Sequence, residues 1–154
     1  RHRLKSSENH VLNCGMRLKV PPTSLYAHPD VSVVHGAAQF EDELQDTLVN
    51  PKILIEVLSD TTAAWDRGGK FWHYRQLDSL SEYILISQET WLADQYTRQP
   101  NGSWMLKTVE GEDGVLQLTS IKCQLPLGEV YANTTVPHGQ APATNKPSQP
   151  IVKA

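Results

Sequence analysis

A single acidic residue interrupts the most apolar segment of this sequence. Glu56 lies within Ile53–Leu58, where every other side chain is aliphatic, a composition typical of a strand buried on both faces of a sheet. A buried carboxylate costs free energy unless it is paired, hydrogen-bonded or bound to a metal. The alternative is that Glu56 faces solvent from a sheet covered on one side only. The flanking Ile55 and Val57 favour burial, and with it a functional role.

A second acidic residue, Asp30, follows Pro29 and opens the apolar run Val31–Val34. Asp beside proline is common at turns and strand entries, and that is one interpretation. Considered together with Glu56, however, two carboxylates on adjacent strands form a hard, oxygen-rich site of the kind that Mg²⁺ uses, with waters completing the coordination shell. Asp30 and Glu56 are therefore candidate metal ligands, for Mg²⁺ or for Mn²⁺ as its substitute.

A basic residue, Lys70, lies on the segment that follows the Glu56 strand. One interpretation is a surface ion pair with Asp66, four residues earlier, which contributes only a few tenths of a kcal/mol. The other is a cation facing the carboxylates, where it would orient an attacking water and stabilise charge on a phosphate in the transition state. Gly68 and Gly69 would let backbone approach closely on that side.

The elements that must position these residues are short strands and one central helix, a pattern of the α/β or α+β class. A helix is predicted over 61–77, with Gly68-Gly69 as a break or a close approach, and a last helical turn over 127–131. Asn101-Gly102 predicts a hairpin, and 40–48 reads as a loop or one helical turn. The predicted strands are 10–20, 30–34, 53–58, 82–87, 91–98, 104–109, 115–118 and 121–125.

Length and charge exclude several classes of protein. The 154 residues suit one domain, predicted over 1–132, followed by a Pro-rich tail over 133–154 that we expect to be disordered. No apolar run approaches the roughly 18 residues of a membrane-spanning helix. The net charge of −3 argues against coating nucleic acid by bulk electrostatics. Two cysteines and a polar start, without a secretory signal, predict a cytoplasmic protein.

The order of several motifs resembles that of the Uma2 family of restriction endonucleases (DUF820), which belongs to the PD-(D/E)xK nuclease superfamily. The resemblance covers Val11 to Tyr131, and it implies a restriction-endonuclease-like fold with a mixed central sheet and flanking helices. This chain begins near the end of the helix that opens that fold, so the N-terminal helix is expected to be missing. The matching motifs are Pro29–Val34, Ile55–Ser59, Thr61-Thr62, Asp66–Gly68, Lys70, Tyr74, Glu82–Gln88 and 121–131.

The resemblance also implies roles for individual residues. Asp30 and Glu56 match the acidic metal ligands, and the backbone carbonyl of Val57 is a further candidate ligand. The superfamily's lysine usually stands two residues after the second acid, where this chain has Leu58; Lys70 on the next helix matches the family's alternative position. The expected activity is Mg²⁺-dependent hydrolysis of phosphodiester bonds in DNA, with a homodimer as a candidate assembly. The alternative is an inactive remnant, or a nucleic-acid-binding module of the same fold.

Overall fold

The computed structural model describes residues 8–136; the predicted end of an N-terminal helix and most of the predicted tail lie outside this range. The described chain forms three sheets, three short α-helices, one π-helical segment and two 3₁₀ turns, at Pro21–Thr23 and Thr119–Ile121. The strands are β1 (Asn9–Asn13), β2 (Arg17–Val20), β3 (Leu25–Ala27), β4 (Val31–His35), β5 (Thr47–Leu48), β6 (Ile53–Leu58), β7 (Glu82–Ser87), β8 (Leu92–Arg98), β9 (Trp104–Glu110), β10 (Val115–Leu118) and β11 (Cys123–Pro126).

The main sheet is mixed and contains six strands in the spatial order β1-β4-β6-β7-β8-β9. Strands β6 and β7 are parallel, and every other neighbouring pair is antiparallel. The parallel pair lies in the middle, which explains why both strands are rich in apolar residues. Strands β3, β2 and β5 form a second sheet, and β10 and β11 form a third.

A hydrophobic core lies on each face of the main sheet, because side chains alternate along a strand. On β6, Ile53 and Ile55 enter one core, which the segment 115–131 covers. Leu54 and Leu58 enter the other, which the second sheet and the segment 63–80 cover. Glu56 alternates with Leu54 and Leu58, so it points toward this second core. The strand arrangement thus directs the candidate carboxylate at the helix that follows it.

One helical segment, residues 63–74, follows β6 along the chain and carries Lys70. It begins as α1 (Ala63–Trp65), widens into a π-helical turn at Asp66–Lys70 and ends as α2 (Phe71–Tyr74). We call the whole segment the central helix. The π-helical turn falls where the sequence predicts a break at the two glycines, and single π-turns within helices are frequent at functional sites. A short α3 (Leu127–Val130) agrees with the predicted last helical turn.

The structure confirms most of the predicted elements and corrects others. The segment 40–48, predicted as a loop or one helical turn, ends in a strand, because Thr47 and Leu48 pair with β2 in the second sheet. The hairpin forms at Asn101-Gly102, where Gly102 has a φ of 82°. The strand predicted over 10–20 is instead two strands in different sheets, because the chain turns at Asn13, whose side chain accepts the N–H of Gly15. The helix predicted over 61–77 is shorter, although Leu77 still packs in the same core as Tyr74.

The two adjacent glycines of the central helix differ in their surroundings. A Cβ at Gly69 would lie 1.9 Å from the ring of Trp65, whereas one at Gly68 would meet no atom within 4 Å. The sequence predicts that the glycines allow backbone to approach closely near the carboxylates. The structure instead shows a close approach between Gly69 and the ring of Trp65. Trp65 is 48% exposed, so its ring lies over Gly69 at the helix surface.

This difference yields a prediction with a built-in control. Gly68→Ala should stabilise the chain by about 0.5–1 kcal/mol, because it removes the helix penalty of glycine without a clash. Gly69→Ala should leave the chain about 1–2 kcal/mol less stable than Gly68→Ala, since the Trp65 ring must move. Urea unfolding measures both values. In a Trp65→Ala background the two glycine variants should become equal; a persisting difference would show that the ring is not the cause.

Candidate active site

Asp30 is held against the Glu56 strand by a backbone hydrogen bond. Val31 pairs with Ile55 in the antiparallel ladder of β4 and β6, so Asp30 lies one step further on, beside Glu56. Its Oδ2 accepts the N–H of Val57 at 2.8 Å. The N–H and C=O of one strand residue point to the same side, so the carbonyl of Val57 also faces the side where Asp30 lies. Asp30 is half-buried and Val57 is 38% exposed, which leaves this edge accessible.

Glu56 is buried, with 3% of its surface exposed, so it does not face solvent. Its Oε1 accepts a hydrogen bond from the Tyr74 hydroxyl at 3.0 Å and lies 3.0 Å from the Lys70 ammonium nitrogen. Burial raises the pKa of Tyr74, and the charge of Glu56 raises it further. Tyr74 therefore keeps its proton and remains a donor to the carboxylate.

Lys70 bridges two buried carboxylates. Its Nζ lies 2.8 Å from Asp66 Oδ1 as well as 3.0 Å from Glu56 Oε1. The Asp66 side chain is 2% exposed and the Lys70 side chain 17%. The interpretation of the Asp66–Lys70 pair as an ordinary surface pair is therefore wrong, because the inward face of the central helix buries it against β6 and β7.

Glu56 and Lys70, the two partners of the buried ion pair, both have raised pKa values. Burial raises the pKa of Glu56 above its usual 4.5, the charge of Asp30 adds to that rise, and Lys70 only partly opposes it. Burial opposes the charged form of Lys70, but Asp66 and Glu56 outweigh it and raise the pKa of Lys70 above 10.5. The two shifts are consistent because Lys70 has two carboxylate partners, while Glu56 shares its one cation and also faces Asp30. Three carboxylates, those of Asp30, Glu56 and Asp66, lie near the one ammonium group of Lys70, so negative charge is in excess there.

A pH dependence of stability follows from the raised pKa of Glu56. The folded chain retains this proton to a higher pH than the unfolded chain, so the folded state loses stability as pH rises above 4.5 toward the raised pKa. The Glu56→Gln substitution removes this dependence. We expect urea unfolding across that window to show the variant gaining stability relative to the parent as pH rises. A difference that stays constant with pH would contradict the account.

The donor set fits Mg²⁺ better than a metal bound mainly by side chains. Across residues 8–136, no three His, Cys, Asp or Glu side chains are grouped so that they could hold a metal ion. Mg²⁺ commonly binds through one or two carboxylates and keeps several waters. Asp30, Glu56 and the carbonyl of Val57 supply such a set of oxygens at the end of β6, where Asp30 and Val57 are partly exposed and Glu56 is buried. Incompletely compensated negative charge suits a divalent cation in the same place.

The structure thus brings together the residues singled out in the sequence and adds two that were not assigned to the site. Asp30, Glu56, Val57 and Lys70 lie at one end of β6. Asp66 and Tyr74, which were not predicted as site residues, contact Lys70 and Glu56 directly. Their spacing was an available signal, because positions 66, 70 and 74 are four apart and lie along one face of a helix.

Comparison with solved structures defines the fold class. The chain is similar to a protein from Anabaena variabilis ATCC 29413 whose structure is described as that of "a putative nuclease belonging to DUF820". The TM-score is 0.66 at 16% sequence identity, and the match covers 83% of this chain and 71% of the other. At this identity the likeness concerns the fold: a mixed α+β domain built on a central mixed sheet, as the sequence predicts.

Comparison of sequences identifies the family. Residues 2–128 match the Uma2 model, described as "Putative restriction endonuclease", and the chain belongs to this family. Two curated relatives come from Synechocystis sp. (strain ATCC 27184 / PCC 6803 / Kazusa). "Uncharacterized protein sll1609" is 33% identical over 70% of this chain and 60% of its own length. "Uncharacterized protein slr1290" is 30% identical over 77% and 61%. The chain therefore spans about three fifths of the length of these relatives.

No helix in the described part of the chain is long and apolar enough to cross a membrane. This agrees with the absence of any long apolar run in the sequence. The predicted homodimer and the predicted cytoplasmic location stay predictions.

Proposed function

We propose that this chain is an Mg²⁺-dependent endonuclease that hydrolyses phosphodiester bonds of DNA. The observation that carries the proposal is the convergence of Asp30, Glu56 and Lys70 at the end of β6, with Val57 bonded to Asp30. Membership of the Uma2 family supports the reaction class. Asp30, Glu56 and the carbonyl of Val57 would hold the ion.

A bound divalent cation supplies two things to this chemistry: a lowered pKa for a nearby water, and positive charge beside the phosphate. The chain's own residues orient the reaction. Lys70 has three N–H donors. Its Nζ lies within ion-pair distance of Glu56 and Asp66, and its partly exposed side chain would also reach a water or a phosphate oxygen. Placed there, the ammonium would stabilise negative charge that develops on the phosphate.

The reaction consumes one water for each bond cut. The water oxygen forms a new bond to phosphorus, and one bridging P–O bond breaks. The attacking water gives up a proton, and the leaving oxygen takes one up to become a hydroxyl group. The products are a phosphomonoester and an alcohol, so no oxidant or further co-reactant is needed.

A supercoiled plasmid is the sharpest substrate for a first test, because one cut anywhere converts it to a visibly different form. We expect the chain to nick or linearise the plasmid with Mg²⁺ or Mn²⁺, and to stop when EDTA removes the ion. Glu56→Gln, prepared identically, controls for contaminating nucleases. Equal cutting by parent and variant would refute the assignment.

Absence of cutting has a separate meaning when the parent is folded and binds the plasmid in a gel-shift assay. That outcome would contradict the endonuclease proposal and favour the nucleic-acid-binding alternative. A mixture of plasmids with different sequences guards against missing a specific cutting site.

A further inference from the structure

The backbone of the π-helical turn is hydrogen-bonded to the main sheet through a buried tyrosine. The hydroxyl of Tyr83, a fully buried residue of β7, donates a hydrogen bond to the backbone carbonyl of Asp66 at 3.0 Å. Asp66 thus has two contacts of different kinds, with its backbone held by Tyr83 and its side chain held against Lys70. The orientation of its carboxylate is set by the sheet as well as by its helix.

The Asp66 carboxylate is poorly explained as a device for stability. An exposed pair four residues apart on a helix contributes only a few tenths of a kcal/mol. Burying both partners carries a desolvation cost that the attraction between them often fails to offset. At this position an apolar pair would hold the helix against the sheet equally well. The arrangement makes sense if the ammonium group must be held in one place.

Glu56 by itself cannot hold Lys70 during the proposed reaction. Its Oε1 is shared between Lys70 and Tyr74, and its carboxylate is also a proposed metal ligand. A cation on Glu56 would repel the ammonium group of Lys70. Asp66, whose Oδ1 lies 2.8 Å from that ammonium nitrogen and whose side chain is 2% exposed, is the anion that would keep Lys70 in place.

We propose that Asp66 is a positioning residue, which acts through Lys70 and does not itself contact the metal or the substrate. The inference rests on the proposed function, and it adds the residue that keeps the ammonium group directed at the phosphate. The positioning role also accounts for the π-helical turn, because this turn and the Tyr83 hydrogen bond place Asp66 and Lys70 together near β6.

The test is a double-mutant cycle in single-turnover cleavage of a supercoiled plasmid. Asp66→Asn should slow cleavage by about 10- to 100-fold, the usual loss on removing an outer-shell partner, and leave plasmid affinity unchanged. In the Lys70→Met background, Asp66→Asn should cost less than roughly two-fold, because its effect passes through Lys70. Additive losses in the cycle would overturn the proposal.

The matched control lies on the same turn. Arg67 pairs with Asp94 of β8 at 3.2 Å, so Asp94→Asn also breaks an ion pair between the π-helical turn and another residue. Asp94→Asn should cleave at the parent rate. If it slows cleavage as much as Asp66→Asn does, the loss reflects a disturbed helix and the positioning role is wrong.

A spectroscopic measurement separates this proposal from the proposed function. The ammonium protons of a lysine held between carboxylates exchange slowly enough to be seen by ¹⁵N NMR, and Lys70→Met assigns the signal. We expect the Lys70 signal in the parent and in Asp94→Asn, and its loss in Asp66→Asn. If the parent shows this pattern and cuts no DNA, the proposed function fails and the positioning contact stands. If the signal survives in Asp66→Asn, the positioning role fails whatever the chain cleaves.

Discussion

Replacing Glu56 with glutamine should abolish cleavage without weakening the fold. The substitution keeps the volume of the side chain and an oxygen that can accept from Tyr74, but it removes the charge needed to hold a cation. We expect the single-turnover rate to fall by more than about 100-fold. Stability at neutral pH should be equal to that of the parent or higher, because burial raises the pKa of Glu56 and its ionised form is costly. Cleavage assays and urea unfolding on the same samples measure both quantities.

A second buried glutamate provides the control for this prediction. Glu82 on the neighbouring strand β7 is fully buried, but it points into the opposite core, where it accepts from the Gln95 side chain and the N–H of Ser120. Glu82→Gln should lower the unfolding free energy by about 1–3 kcal/mol, since one of these donors loses its acceptor. Its cleavage rate should not change. If both variants lost activity equally, burial of any glutamate in this sheet would explain the effect, and Glu56 would have no special role.

Removing Lys70 should damage both stability and activity. Lys70→Met leaves Glu56 and Asp66 buried near each other without the cation that lies between them. Breaking a buried ion pair from one side costs about 3–5 kcal/mol, and we expect a loss of about 3 kcal/mol because 17% of the Lys70 side chain is exposed. Cleavage should fall at least as far as in Asp66→Asn. Urea unfolding and single-turnover cleavage check the two effects.

The stability loss in Lys70→Met should depend on pH. Without the ammonium group, only the Tyr74 hydrogen bond in this cluster opposes the effect of burial on the pKa of Glu56, so acid should restore part of the lost stability. Lys19→Met is the comparison, because Lys19 of β2 pairs with Glu41 and both side chains are about one quarter exposed. Its effect on stability should be much smaller than that of Lys70→Met, because water screens the Lys19–Glu41 pair. Equal losses in the two variants would contradict the burial of the Lys70 cluster.

Much of the site could be predicted because it lies on regular elements with strong sequence patterns. The aliphatic run around Glu56 predicts a central strand, and alternation along that strand then decides which core its side chain faces. Asp30 and Lys70 were found as polar residues next to such elements. The restriction-endonuclease-like architecture followed from the order of the motifs, and comparison with a solved structure confirmed it at the level of the fold.

The burial of the Asp66–Lys70 pair and the contact of Tyr74 with Glu56 could not be predicted with the same ease. Pairs four residues apart look identical in a sequence whether they are exposed or buried, and the covering strand β7 that buries Asp66 is distant along the chain. The turn at Asn13 was missed for a related reason, because the loose alternation of 10–20 continues across it. Local patterns specify which residues are apolar, but tertiary packing decides which polar residues are enclosed with them.

Titration of the folded chain with Mn²⁺ in a calorimeter tests the central claim most directly, since it needs no knowledge of the DNA sequence that is cut. We predict that the parent binds the ion, that Glu56→Gln and Asp30→Asn lose this binding, and that Asp66→Asn retains it. Asp30→Asn keeps an oxygen for the N–H of Val57, so the strand edge should remain in place. Unchanged binding in both Glu56→Gln and Asp30→Asn, or no binding by the folded parent, would contradict a metal site at the end of β6.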